Sequence, residues 1–286
     1  MATPSAILHR RPGLRLGLLL TPPMLWLGVA YLGALAALFI TAFWGQNPFT
    51  GEVERTWTLD NFRTLFTVDV YRTITLRTLG VALTVTVVDA LLAMPIALFM
   101  AKVASRRWKA VLVVAVLTPL WASYLVKAYA WRGMLSEDGV IAWLAAPFGL
   151  DTPGYGLTAT TLTLAYLWLP YMILPIYASF ERLPDSLLEA SSDLGAHSLE
   201  TLRRVALPIV FPGLVAGSIF TFSLSLGDYI TVRIVGGASQ MLGNVVYDNV
   251  GAANNLPFAA AVATIPVVVM IVYLTAVRRT GALENL

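Results

Sequence analysis

Six apolar stretches of membrane-spanning length, parted by short polar segments, restrict this chain more than any other feature it carries. A run of about 20 apolar residues can cross the hydrocarbon layer of a bilayer as a helix, which satisfies its own backbone polar groups. Spans are expected over about 16–43, 73–100, 110–131, 158–180, 209–230 and 256–276. Only 12% of the 286 residues are charged and 58% are apolar, whereas soluble domains carry about 25% charged residues. The chain therefore reads as an all-α, polytopic membrane protein. A net charge of +3 from dispersed basic residues gives no ground for nucleic-acid binding, and the absence of cysteine excludes disulfides and thiolate metal sites. The first apolar stretch continues too long for a cleaved signal and lacks a convincing Ala-x-Ala site, so it reads as a span.

Charge orients the spans. The segments expected on the cytoplasmic side hold 12 of the 19 Lys and Arg residues: an arm with Arg10, Arg11 and Arg15 beside His9, the strip KVASRRWK at 102–109, the loop after the fourth span, and Arg278 with Arg279. By the basic-side rule both ends are expected inside. The chain then divides into an arm at 1–15, a first helix and external loop at 16–69, a core at 70–276 containing a polar loop at 181–208, and a tail at 277–286. Pro22 and Pro23 lie in the opening turn of the first span or kink it, and Trp44 falls where an interfacial aromatic is expected. Within the outer loop at 133–157, VIAWLAAPFGL reads as a short interfacial helix.

The polar loop holds the longest regularly charged stretch, LPDSLLEASSDLGAHSLETLRRVALP, at 183–208. Ser186 and Glu189 have capping-box spacing, with Asp185 as a rival cap. Leu187, Ala190, Ser191 and Leu194 share one helical face, while Glu189 and Asp193 share another. Gly195 is placed to end the helix in a left-handed conformation. Ser198 is placed to cap a second helix, which Pro208 breaks or kinks. Two short polar helices with a glycine joint read as a docking surface.

This stretch resembles the cytoplasmic loop of ABC importer permeases, the membrane subunits of binding-protein-dependent uptake systems. Their pattern is Glu-Ala-Ala, three residues, Gly, nine residues, then Ile-x-Leu-Pro. Glu189, Ala190 and Gly195 match in register and Leu207 and Pro208 close the motif; Ser191 replaces the second Ala and Val205 the Ile. The resemblance covers about 70–275. It implies the six-helix fold of type I ABC importer permeases, with Glu189, Ala190, Ser191, Gly195, Leu207 and Pro208 coupling the bundle to an ATPase. It also implies the partners: a second permease in a heterodimer, two cytoplasmic ATP-binding subunits, a periplasmic or surface-anchored solute-binding protein, and the bilayer of the bacterial inner membrane. ATP and Mg belong to the ATPase subunits, and no cofactor is expected on this chain. LGDYIT at 226–231, followed by Gly236 and Gly237, is similar to the spermidine/putrescine branch. Iron, thiamine, phosphonate or an amino-acid-like solute is the alternative cargo, and an ion-coupled carrier or a membrane scaffold the alternative class.

Other residues admit two readings. Asp89 sits well inside the second span, where a carboxylate is costly and faces protein or water; it lines a path or makes an internal hydrogen bond. Asp228 and Tyr229 close the fifth span, as an ion-pair and cation–π site for a cationic solute or as a helix-end cap beside an interface tyrosine. Lys127 snorkels or pairs with an acid. Thr221, Ser223 and Ser225, with Gly217 near, mark close packing or a wet path. Arg203 and Arg204 meet a partner or lipid head groups. Neither a Walker-type loop nor a nucleophile–base arrangement is present, and lone His197 makes no metal site, so the chain reads as a transport subunit rather than an enzyme.

Overall fold

The computed structural model describes residues 12–47 and 49–278; His9, Arg10, Arg11 and Arg279 lie outside them, as does the side chain of Arg15. Three long helices, α4 (Asp69–Leu98), α8 (Leu157–Arg182) and α11 (Leu207–Leu226), pack on one another and form the centre of the bundle. What lets them approach is the absence of side chain on α11. A Cβ on Gly217 would stand 2.7 Å from Met172 Sδ and 3.0 Å from Met172 Cα; one on Gly213 would stand 2.5 Å from the Pro175 carbonyl oxygen. Small residues at such crossings replace the hydrophobic drive that lipid does not supply between helices. Thr221 and Ser225 continue the buried face of Gly217 at four-residue steps. Ser223 does not share it: two residues out of phase, it is exposed.

At one end of this trio, Ala93, Ala97 and Met100 meet Met172, Ile176, Phe180 and Val210; towards the other, Val81 and Val85 meet Leu164 and Leu167. Pro170 and Pro175 lie within α8 without ending it. A wide π turn, Phe99–Val103, closes α4 at the end that carries the basic strip. At this basic end lie α9 (Asp185–Asp193) and α10 (Ser198–Thr201).

The third expected span is not one straight helix. α5 (Arg106–Trp121) and α6 (Tyr124–Met134) are bent by 95° at the joint between them. Pro119 stands just before the break, and Ala122 and Ser123 are extended. Beyond it, α6 turns to pack on α12 (Ile230–Val235), where Arg132 donates to the Ile234 carbonyl at 3.1 Å. Together with five long apolar helices this gives up to six spans.

The segments between spans hold more structure than their polarity implied. Residues 44–67 contain an antiparallel hairpin, β1 (Trp44–Gln46) with β2 (Val53–Trp57), then α3 (Asp60–Thr67). VIAWLAAPFGL does form a short helix, α7 (Val140–Ala145), followed by a 3-10 turn. The loop at 231–254 folds into α12 and α13 (Leu242–Val250) before the last span, α14 (Leu256–Arg278). The first span is α1 (Pro12–Trp26), a π turn and α2 (Gly33–Thr41); Pro22 and Pro23 lie inside α1. Its far end meets the bundle, where Leu38 and Ala42 pack on Ala260 and Ala261 of α14.

Replacing Gly213 by Ala should cost about 1–3 kcal/mol through overpacking against α8, and thermal unfolding in detergent should show a lower midpoint. Gly80→Ala, where nothing lies within 4 Å of the added carbon, should leave that midpoint unchanged or slightly raised.

Candidate functional site: the polar loop at the basic end

α9 begins without the expected cap. Its N-cap position is Pro184, no side-chain cap bond forms, and Asp185 is the first helical residue. Asp185 is engaged elsewhere: its carboxylate accepts a 2.7 Å bond from Lys102 Nζ. The Lys102 ammonium holds this carboxyl below the usual carboxylate range. The pairing is therefore intact above about pH 4 and is lost as pH falls through the lowered value.

The helix ends as its glycine predicts. Gly195 has φ +81° and its N–H donates to the Ser192 carbonyl at 2.9 Å. Ser198 is not the cap of the next helix; His197 stands at that position and makes no side-chain cap bond. Ser191 is buried and its hydroxyl bonds Thr201 Oγ1 at 2.9 Å, tying the two short helices across the glycine joint. A hydroxyl at this position does what an alanine would not. Leu188 and Leu202 turn inward onto the core.

Pro208 does not break the chain's helical course. A π turn, Leu202–Ala206, precedes it, and Leu207 keeps helical angles at φ −57°, ψ −46°. The extra residue of a wide turn makes room for the ring and for the carbonyls it leaves unbonded. Leu207 is half-buried and Pro208 exposed.

The apolar face expected over Leu187, Ala190, Ser191 and Leu194 divides. Ser191 faces the core, but Leu187, Ala190 and Leu194 are exposed, Leu194 by 88%, and Leu199 beyond the joint by 76%. Glu189 is exposed and its carboxylate meets no basic group among the described residues. The result is an outward apolar strip beside exposed carboxylates, on a helix packed on the core from behind. Leu194 and Leu199 were missed as surface residues because periodicity identifies a face, not the direction in which that face points. Arg204 pairs with Glu200 at 2.9 Å in the wall of a shallow cleft that Arg203 and His197 complete.

The other candidates lie apart from this loop. Asp89 is fully buried in α4 and both carboxylate oxygens lack a hydrogen-bond partner among the described residues. Asp228 is committed within the chain. It accepts bonds from the Tyr124 hydroxyl and, at 2.8 Å, from the Thr231 N–H, so it ties α6 to the start of α12. Tyr229 stacks on Tyr247 at 4.9 Å, and the guanidinium of Arg233 lies 4.5 Å from the Tyr247 ring centre. An internal cation–π contact therefore lies beside Tyr229, on the ring it stacks against. Lys127 has no ion-pair partner among the described residues.

The chain belongs to the family described as the binding-protein-dependent transport system inner membrane component, which matches residues 81–279. It is 44% identical to the inner membrane ABC transporter permease protein YdcU of Escherichia coli K12, over 99% of this chain and 95% of that protein. It is also 32% identical to the spermidine/putrescine transport system permease protein PotB of the same organism, over 82% of this chain and 86% of that one. Among solved structures, a bacterial alginate ABC transporter in complex with its alginate pentasaccharide-bound periplasmic protein contains a chain of like fold. There the TM-score is 0.72 at 16% identity, with 94% of each chain covered. The MetNI methionine ABC transporter gives 0.55 at 19%, over 73% of this chain and 93% of that one. The protein is accordingly a multi-pass inner-membrane permease subunit of an ABC importer, and its fold is that of the importer permeases.

Gly195→Val should strain the joint by about 1–2 kcal/mol, because a side chain opposes the left-handed conformation there while nothing crowds the site sterically. Hydrogen exchange should accelerate over 194–201 and remain unchanged in α8.

Proposed function

We propose that this subunit imports polyamines, spermidine or putrescine, and that α9 is the element through which ATPase subunits drive it. The observation that carries the coupling role is the exposed strip Leu187, Ala190 and Leu194, with Glu189 at its rim, on a helix held from behind, and exposed Leu199 across the glycine joint. A cleft on an ATPase would take Leu194 as its anchor, burial of which stabilises by about 2 kcal/mol. In this reading the basic end faces the cytoplasm, both termini lie there, and the hairpin end receives a solute-binding protein. The bundle pairs with a second, similar permease and two ATP-binding subunits, which hold ATP and Mg; this chain holds neither.

Polyamine as cargo is supported by the likeness to PotB over most of the chain, together with LGDYIT at 226–231. In this structure those residues serve architecture: Asp228 caps and ties, and Tyr229 stacks. Selectivity then lies chiefly in the external binding protein. Asp89 remains the one buried carboxylate in the spans without a partner among the described residues, and in this reading it would meet a passage between the paired permeases only when the helices that cover it part.

ATP hydrolysis by the complex in lipid, titrated with spermidine or putrescine and the binding protein, tests both parts. Stimulation by either polyamine is expected, weakened by Glu189→Ala. Leu194→Ala should reduce retention of the ATPase subunits by about 30-fold, the equivalent of about 2 kcal/mol. Stimulation by another solute, with none from polyamines, would reject the cargo and keep the coupling; full retention of the ATPase in Leu194→Ala would reject α9 as the anchor.

A further inference from the structure

The strip at 102–109, whose charges on sequence grounds served only to orient the spans, is bonded to the joint between α8 and α9. That joint is two residues long: Leu183 at φ −68°, ψ 118° and Pro184 at φ −66°, ψ 132° are extended. Two helices meeting at so short a non-helical link bend there when one is pushed, and the packing of Leu188 and Ser191 then carries the push alone.

Lys102 bridges the link. Its Nζ donates to the Leu183 carbonyl at 2.6 Å and to Asp185 Oδ1 at 2.7 Å, one bond on each side of Pro184. Just before the link, Lys109 Nζ donates to Glu181 Oε1 at 2.8 Å. The two lysines come from different elements, the π turn that closes α4 and the first turn of α5. Exposed ion pairs contribute little to stability, and the Asp185 side chain is 76% exposed. Lys102 differs, being only 14% exposed. Its carbonyl partner sits just past the end of α8, where backbone oxygens lack intrahelical donors. These bonds fix a geometry more than they stabilise a fold.

We propose that Lys102 and Lys109 are positioning residues that stiffen the Leu183–Pro184 link. Displacement of α9 then carries α4, α5 and α8 as one body. The proposal rests on the coupling role of α9 argued above, and neither lysine need touch the ATPase.

The native chain has no cysteine, so a pair introduced at exposed Arg107 and Ser192 can carry spin labels across the link. Their separation is measured by pulsed electron resonance in the assembled complex in nanodiscs, nucleotide-free and trapped with Mg-ATP and vanadate. In the intact chain one narrow distance is expected in both states. Lys102→Met and Asp185→Asn should each shift or broaden it by several ångströms on trapping, with the ATPase subunits still bound; Lys102→Arg should keep it narrow. Asp185→Asn changes an exposed group and serves as the test if Lys102→Met fails to fold. A nucleotide-dependent shift in the intact chain, or an unchanged narrow distance in the variants, overturns the proposal. Failure of the ATPase subunits to bind even the intact chain would instead reject α9 as the coupling element.

Discussion

The close approach of α11 to α8 at Gly213 and Gly217 is the contact on which the rest of the structure depends. Lipid surrounds these helices with a medium as apolar as their own side chains, so burial alone gives them little reason to associate. Shape supplies the reason. With no Cβ at two successive turns, α11 lies against the backbone of α8, and α4 closes over both. Thr78, Thr163 and Thr221 return their hydroxyls to carbonyls of their own helices, so these three buried side chains are satisfied there, whereas Asp89 and Ser225 have no hydrogen-bond partner among the described residues.

Once that trio is set, the basic end follows from it. α8 delivers Leu183 to the rim, the π turn after α4 brings Lys102 beside it, and the short helix α9 hangs from both. Its inner side is filled by Leu188 and Ser191, which leaves Leu187, Ala190 and Leu194 outward. The exposed strip is thus a result of which leucine of the pair Leu187–Leu188 meets the core, a choice made by the exit direction of α8.

Much of this was legible in the residues. Apolar run length located the spans, and the spacing from Glu189 to Pro208 located the loop and its class, since so long a fixed pattern seldom arises by chance between two spans. Gly195 announced its left-handed turn. What escaped was settled by partners distant in sequence. Asp185 has the composition of a cap but is taken by Lys102, 83 residues away. Asp228 admitted a cap or a cargo site on sequence grounds; it does accept the Thr231 N–H, but its bond from Tyr124, 104 residues earlier, was not foreseen. The 95° break between α5 and α6 is a tertiary choice too: the apolar run is continuous enough to span, and it turns where α6 docks on α12. Pro208 reads as a breaker because a proline ring opposes an ordinary helical turn, whereas a wide turn accommodates it.

The first helix differs from all of these in what it asks of the chain. Every described side chain from Leu16 to Trp26 is exposed, and its hold on the bundle begins only near Leu38 and Ala42. Among its described side chains none is a buried polar group that needs a neighbour, so a bilayer alone is a sufficient solvent for them. α4 is the opposite case, with Thr78 and Asp89 fully withdrawn between other helices. During synthesis the first helix can therefore settle in the membrane before any later one exists, while α4 reaches its final environment only after α8 and α11 have emerged. The order of the chain places the self-sufficient segment first and leaves the interdependent ones to assemble against one another.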